Sequence, residues 1–260
     1  MNISEGRRLP VISQVAAAAG LALLDVHRDP HHNRSVLTMA SADGEELEAA
    51  VRTVADAAVR LIDLRQHDGA HPRIGALDVV PFAPLQESTL DDAVRARDRF
   101  ANYACSRLSV PCFVYGPERT LPEVRRGAFS SITPDVGGPA PHPSAGAIAV
   151  GARPVLVAYN VWLVESDIAR ARQVARAVRG PAIRALGLSL GDRAQVSMNL
   201  VDPRRVGPDA AFDAVAAQVP VAGAELVGLL PCDVLDMVPA RRWHELDLGA
   251  DRTIEGRLPT

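Results

Sequence analysis

No lysine occurs in this chain; all 28 of its basic residues are arginine. That pattern fits the codon usage of a GC-rich genome and by itself says nothing about function. Cysteine is scarce. Cys105, Cys112 and Cys232 form no CxxC pair, and an odd count argues against a disulfide framework, so they read as reduced and mostly buried. Aromatic residues make up only 4%. No apolar run reaches membrane-spanning length, and the opening MNISEGRRLP has no apolar h-region. The formal net charge of -3 supplies no field that would call for nucleic acid or an anionic membrane. These absences leave a soluble, cytoplasmic protein as the expectation. What is present, 48% hydrophobic and 23% charged residues, is ordinary globular composition.

The length of 260 residues is comfortable for two small domains, expected at 1–146 and 147–260. A helix over about 7–19 stops at Gly20. LALLDV (21–26) reads as a buried strand, HRDPHHN (27–33) as a turn or loop, and SVLTMA (35–40) as the returning strand. Residues 45–64 form an amphipathic helix, with Val51, Val54, Ala58 and Leu61 at helical spacing. Gly69 stops it, and ALDVVPF (76–82) is the next strand. This half reads α-β-β-α-β, lacking an opening strand.

The second half reads β-α-β-β-α-β. Its strands are VLVAYNVWLV (155–164), LGLSL (186–190), QVSMNLV (195–201) and a stretch near 224–229. Its helices are one capped by Ser166 or Asp167 and one at about 208–218. That order is the split βαβ, ferredoxin-like arrangement. The expected fold is therefore α/β (α+β), with two similar ferredoxin-like subdomains, each a mixed or antiparallel sheet with helices on one face. Residues 116–146 are rich in Pro and Gly without an apolar period, which suits a linker or a binding loop.

AHPRIGALDVVPFAPL (70–85) sets His71, Arg73 and Asp78 against a core-like strand. An imidazole titrating at about 6.5 suits acid–base work near neutrality, or it simply bonds a carbonyl in the turn. Alternation puts Asp78 on the face of Ala76, Val80 and Phe82, where a carboxylate needs a partner or a purpose. Arg73 is either that partner or a clamp for a substrate carboxylate. His67 and His71 are separated by Gly69, and no ligand pair with standard metal spacing appears, so no metal is expected. Gln195, Ser197 and Asn199 share one strand face, with Val196, Met198 and Leu200 on the other. The polar face, with Asn160 on another strand, is either solvated or the wall of an amide-lined groove. Arg170, Arg172, Arg176, Arg179 and Arg184 form a solvated helix face or a surface that draws in an anion.

HPRIGALDVVPF closely resembles the HPRMGALDV-PF signature of the glutamate formiminotransferases. Other blocks agree in order. NISEGR (2–7) resembles the end of VPNFSEGR, LLDVHRDPHHNRSV (23–36) an LLD…NRSV segment, and LIDLRQH (61–67) LIDMRKH. PDVGGPAPHPSAG (134–146) resembles a PDFGP loop followed by HPTAG. GARPVLVAYNVWL, QVSMNLVD and AELVGLLP resemble the family's second half. The resemblance implies two similar α/β subdomains and transfer of a formimino group between N-formimino-L-glutamate and tetrahydrofolate, which is a co-substrate.

It implies His71 as the general acid/base. It also implies a folate-binding loop of Gly137, Gly138, Pro139, Ala140, Pro141, His142, Pro143, Ser144, Ala145 and Gly146. Asp29, Asn33, Arg34, Arg73 and Asp78 are expected as substrate contacts, by position in the matched blocks or near His71. A homodimer is implied by the family. Ala70 stands where the family carries Glu, and His27 and His31 where relatives often carry acidic residues. These departures keep open a one-carbon transferase with another amine acceptor, or a folate-binding protein without catalysis.

Overall fold

A computed structural model describes residues 1–69 and 72–258. The chain divides into two compact units, Met1–Arg153 and Pro154–Leu258. No described helix is long and apolar enough to cross a membrane.

The first unit begins with β1 (Asn2–Ile3), α1 (Leu9–Ala17), β2 (Leu23–Asp29), β3 (Arg34–Met39), α2 (Gly44–Leu61) and β4 (Leu77–Phe82). It continues with α3 (Leu90–Leu108), β5 (Cys112–Tyr115), α4 (Leu121–Gly127) and β6 (Ile148–Ala152). The sheet runs β2-β3-β1-β4-β6-β5, and its first part is the ferredoxin-like order. The opening strand expected to be missing is present and central. β1 is short, yet Asn2 pairs with both Val36 and Val79. β2 also extends through His27, Arg28 and Asp29, which composition had assigned to a turn, because each pairs with β3. The division falls after Arg153 rather than after 146, because β6 pairs in parallel with β4 and β5.

Local chemistry explains the helices. Asp43 caps α2 by accepting from Glu45 N–H at 2.8 Å, and Val51, Val54, Ala55 and Ala58 are buried on one face. Thr89 and Asp92 form a capping box at α3. α1, α2 and α3 supply Val15, Val54, Phe100 and Ala104 to a core completed by Ile3, Leu37, Val80 and Val150. α4 is an addition: its Val124 packs with Val79, Phe113, Tyr115 and Ala149 in a separate cluster.

The second unit comprises β7 (Val157–Leu163), α5 (Ile168–Val178), β8 (Ile183–Leu190), β9 (Arg193–Leu200), α6 (Pro208–Ala216) and β10 (Val221–Val227). Its sheet order, β10-β7-β9-β8, repeats the first unit's ferredoxin-like arrangement. Tyr159, Val161, Val196, Met198 and Leu226 meet Val174, Ala175 and Phe212 in its core. Asp167 caps α5, accepting from Ala169 N–H at 2.8 Å.

Close packing between β5 and β6 depends on one missing side chain. A Cβ on Gly151 would stand 2.0 Å from Tyr115 Cζ, and Tyr115 is buried. Gly151→Ala is therefore expected to destabilise the protein by about 1–3 kcal/mol through overpacking. Urea unfolding should show a lower midpoint at unchanged slope; an unchanged midpoint would mean the Tyr115 ring moves aside freely.

Candidate functional site

Four stretches of the first unit converge at the end of the sheet where β1 leaves and β3, β4 and β6 enter. They are residues 4–8, 28–34, 67–75 (70 and 71 apart) and 142–147. Ser4 Oγ donates to the Gly75 carbonyl at 2.7 Å, and Ser35 Oγ donates to the Glu5 carbonyl at 2.6 Å. Asn33 adopts a left-handed backbone with φ of 49°, a conformation Asn tolerates better than most residues. Its Oδ1 accepts from Gly6 N–H at 2.9 Å and its Nδ2 donates to the Asp68 carbonyl at 2.8 Å. Asn33 thus ties all of the first three stretches together.

Asp29 holds the β2–β3 turn. It accepts from the N–H groups of His31 at 2.8 Å and His32 at 2.9 Å, and pairs with His32 Nδ1. Burial works to raise its pKa, but the bonds from His32 and His31 outweigh it and hold the carboxyl at about 2.

Asp78 is enclosed, with 0% exposure. Pairing of Asn2 with Val79 and of Ile3 with Leu77 places a register shift at this point of β4, so strict alternation fails there. The carboxylate meets Arg34 of β3 and, at 2.6 Å, Arg125 of α4; it also accepts from Ile74 N–H at 2.7 Å. Burial would raise its pKa, yet the two guanidinium charges and the Ile74 bond bring it to about 2. Burial in turn pulls the Arg34 guanidinium below its ordinary value, with the Asp78 charge acting against that pull. Arg125 also donates to the Pro72 carbonyl at 2.7 Å. Asp78 and Arg125 together therefore hold residues 72 and 74.

Arg73 lies beside the His67 ring, donating to Nδ1, while His67 Nε2 lies 3.2 Å from the Asn33 carbonyl. A guanidinium can only donate, so this geometry sets Nδ1 as acceptor and Nε2–H as donor. Burial and then the Arg73 charge push the His67 pKa down, which agrees with a neutral ring.

The Gly- and Pro-rich loop is anchored at both ends and differs along its length. Gly137, Gly138, Pro139, Ala140 and Pro141 are exposed, beyond Val136, whose carbonyl accepts from Cys112 N–H at 2.9 Å. From His142 onward the loop joins the site. His142 Nδ1 accepts from Ala145 N–H at 3.0 Å, Ser144 O accepts from Leu64 N–H at 2.8 Å, and Ala145 O accepts from Ala76 N–H at 2.9 Å. Gly146, with φ of 70°, lies so close to residues 74 and 75 that a Cβ would stand 2.2 Å from the Ile74 carbonyl.

His71 and Ala70 lie outside the described residues. The structure brings Asp29, Asn33, Arg34, Arg73 and Asp78 together with the 142–146 part of the loop around the segment that carries His71. Asn33 and Asp78 bond to Asp68 and Ile74 of that segment, while Asp29 holds the neighbouring β2–β3 turn and Arg34 pairs with Asp78. Sequence reasoning missed Arg125, Glu5 and His67 as members. Arg125 had a signal, since Thr120-x-x-Glu123 with Pro122 announces a helix start, and Thr120 N–H donates to Glu123 at 2.6 Å. Glu5 is buried and accepts from the N–H groups of Arg7 at 2.9 Å and Arg8 at 2.8 Å.

Removing the Asp78 carboxylate would leave Arg34 and Arg125 with uncompensated charge beside each other. Asp78→Ala should cost about 3–5 kcal/mol in urea unfolding near neutral pH. The depressed pKa gives the sign with acid: the contribution is complete above the ordinary 3.8 and is lost as pH falls toward about 2. Wild type should therefore lose stability more steeply than Asp78→Ala over that window. Parallel acid profiles would remove this pair from the account.

The model of the formiminotransferase domain, N-terminal subdomain, matches residues 1–153. The chain is 37% identical to the glutamate formimidoyltransferase of Streptococcus pyogenes serotype M1, over 90% of this chain and 88% of that protein. It is 32% identical to the glutamate formimidoyltransferase of Thermoplasma acidophilum, over 88% and 86%. With the formimidoyltransferase-cyclodeaminase of Sus scrofa it shares 34% identity over 90% of this chain, which spans 50% of that relative. The matched region contains the whole frame around residues 67–75 and 142–147, and on these grounds the chain belongs to the formiminotransferase family.

Proposed function

We propose that this chain transfers a formimino group between N-formimino-L-glutamate and tetrahydrofolate, with His71 as general acid/base. The observation that supports it most directly is the ladder between residues 74–76 and 145–147. Ala76 N–H donates to the Ala145 carbonyl at 2.9 Å, and Ala147 N–H donates to the Ile74 carbonyl at 2.9 Å. The two blocks that most resemble the family's catalytic and folate-binding motifs are thereby neighbours in space.

The chemistry needs little else. The N5 amine of tetrahydrofolate attacks the amidine carbon, and a tetrahedral adduct forms. A proton leaves the attacking nitrogen and another is delivered to the departing glutamate nitrogen as its bond to carbon breaks. One imidazole set between the two nitrogens serves both transfers. Binding both molecules supplies much of the remaining acceleration as proximity. Arg73 is assigned to a substrate carboxylate, since a guanidinium matches that group bidentately.

Purified protein should turn over N-formimino-L-glutamate with tetrahydrofolate, and His71→Ala should lose about 100-fold or more in rate while still binding folate. The wild-type rate should fall on acidification as the imidazole proposed as base takes up a proton. A rate independent of pH between about 5 and 8 would remove His71 as the base. Folate binding without turnover would favour a different amine acceptor, which Ala70 and His27 motivate, or a folate-binding protein.

The same reading places the protein in the cytoplasm, in histidine degradation, as a homodimer. Sedimentation at micromolar concentration should give a dimer; a monomer there would contradict the assembly without touching the chemistry.

A further inference from the structure

Two side chains join the flanks of the stretch that carries His71. His67 and Arg73 are six residues apart, and the Arg73 guanidinium donates through Nη1 to His67 Nδ1. On its other side the ring faces the β2–β3 turn, with Nε2 3.2 Å from the Asn33 carbonyl. Arg73 Nη2 lies 3.5 Å from the His32 carbonyl of the same turn. Gly69 packs into this arrangement: a Cβ there would stand 2.5 Å from the His32 carbonyl and 2.7 Å from Arg73 Nη2. His67 and Arg73 thus tie both flanks to one turn and to each other.

The junction works in one protonation state of the ring. A guanidinium has five N–H donors and no acceptor, so Nδ1 must keep its lone pair. A proton there would remove the acceptor and set two cations against each other. Glu5 and Asp68 are the acidic groups that favour the charged ring, and each is already paired with an arginine, Glu5 with Arg8 and Asp68 with Arg7. The Asp29 carboxylate of the turn pairs with the His32 ring. Burial and the Arg73 charge prevail over Glu5 and Asp68 and hold the His67 pKa below its ordinary value.

We infer that His67 is a positioning residue for His71: its neutral ring clamps Arg73 and keeps the His71 stretch in order, and uptake of a proton by His67 releases it. This rests on the reading of His71 as the acid/base proposed above. Acid then lowers the rate twice, once by protonating the catalytic imidazole and once by opening the clamp.

The test is kcat against pH with both substrates saturating, so that a change in substrate affinity drops out. Wild type should show an acid limb steeper than one proton. His67→Leu loses the acceptor, and its kcat should fall about tenfold or more at neutral pH. His67→Gln offers Arg73 an amide oxygen and Asn33 an N–H without titrating. It should recover most of that loss, and its acid limb should follow a single proton. Ring 15N NMR reads the clamp without catalysis. His67 should be the Nε2–H tautomer at neutral pH and take up its proton below about 6.5, and Arg73→Gln should move that step upward. Equal kcat in wild type and His67→Leu, or an acid limb unaltered in His67→Gln, would overturn the inference and leave His71 as the base. A neutral ring carrying its proton on Nδ1 would overturn it at the geometry. Absence of turnover in wild type, with the ring titrating as expected, would remove the reaction and the positioning role together while the clamp itself stood.

Discussion

One fully buried carboxylate organises the site. Asp78 draws Arg34 from β3 and Arg125 from α4 onto itself, and accepts the Ile74 N–H as well. Buried charge is costly to desolvate, so such a group persists only when its partners are fixed. Here the partners come from distant parts of the chain, and their fixation is the useful result. Arg125 reaches on to the Pro72 carbonyl, so the residues on the C-terminal side of His71 are held by side chains as well as by backbone bonds to residues 145–147.

The rest of the frame follows the same logic with backbone groups. Asn33 spends both ends of its amide on Gly6 and Asp68, and Asp29 spends its carboxylate on the turn behind it. Each of these polar residues sits where strands start or end, where backbone N–H and C=O groups lack ladder partners. Meeting those groups with short polar side chains makes an ordered platform out of loops. The Gly- and Pro-rich loop joins it at Gly146, where only the absence of a side chain lets the backbones approach. Dependence of catalysis on small displacements makes such rigidity functional.

Duplication of the ferredoxin-like order serves the two units differently. In the first, the sheet is extended by β6 and β5, and α4 brings Arg125 to the charged cluster. In the second, the sheet stays four-stranded and keeps polar residues on the face away from its helices. The same architecture thus holds a framed loop cluster once and a polar sheet face once.

Periodicity made α2 and β9 legible, because burial of one face repeats at a spacing that sequence displays directly, and a cap residue marked the start of α5. The matched blocks likewise marked the 67–78 and 134–146 segments as one functional region. Other elements left weaker traces. β1 is so short that no period can be counted, and it is a strand only because β3 and β4 lie on either side. Asp78 looked like a core-facing residue because alternation assumes an unbroken register, and a register shift in β4 sets that assumption aside. Arg125 belonged to a stretch without apolar period, and its role depends on a carboxylate 47 residues away in sequence. Residue types and local spacing therefore determined which segments carry the chemistry. Which charge meets which was decided by the folded chain, since a buried ion pair is a property of distance and desolvation that no local pattern contains.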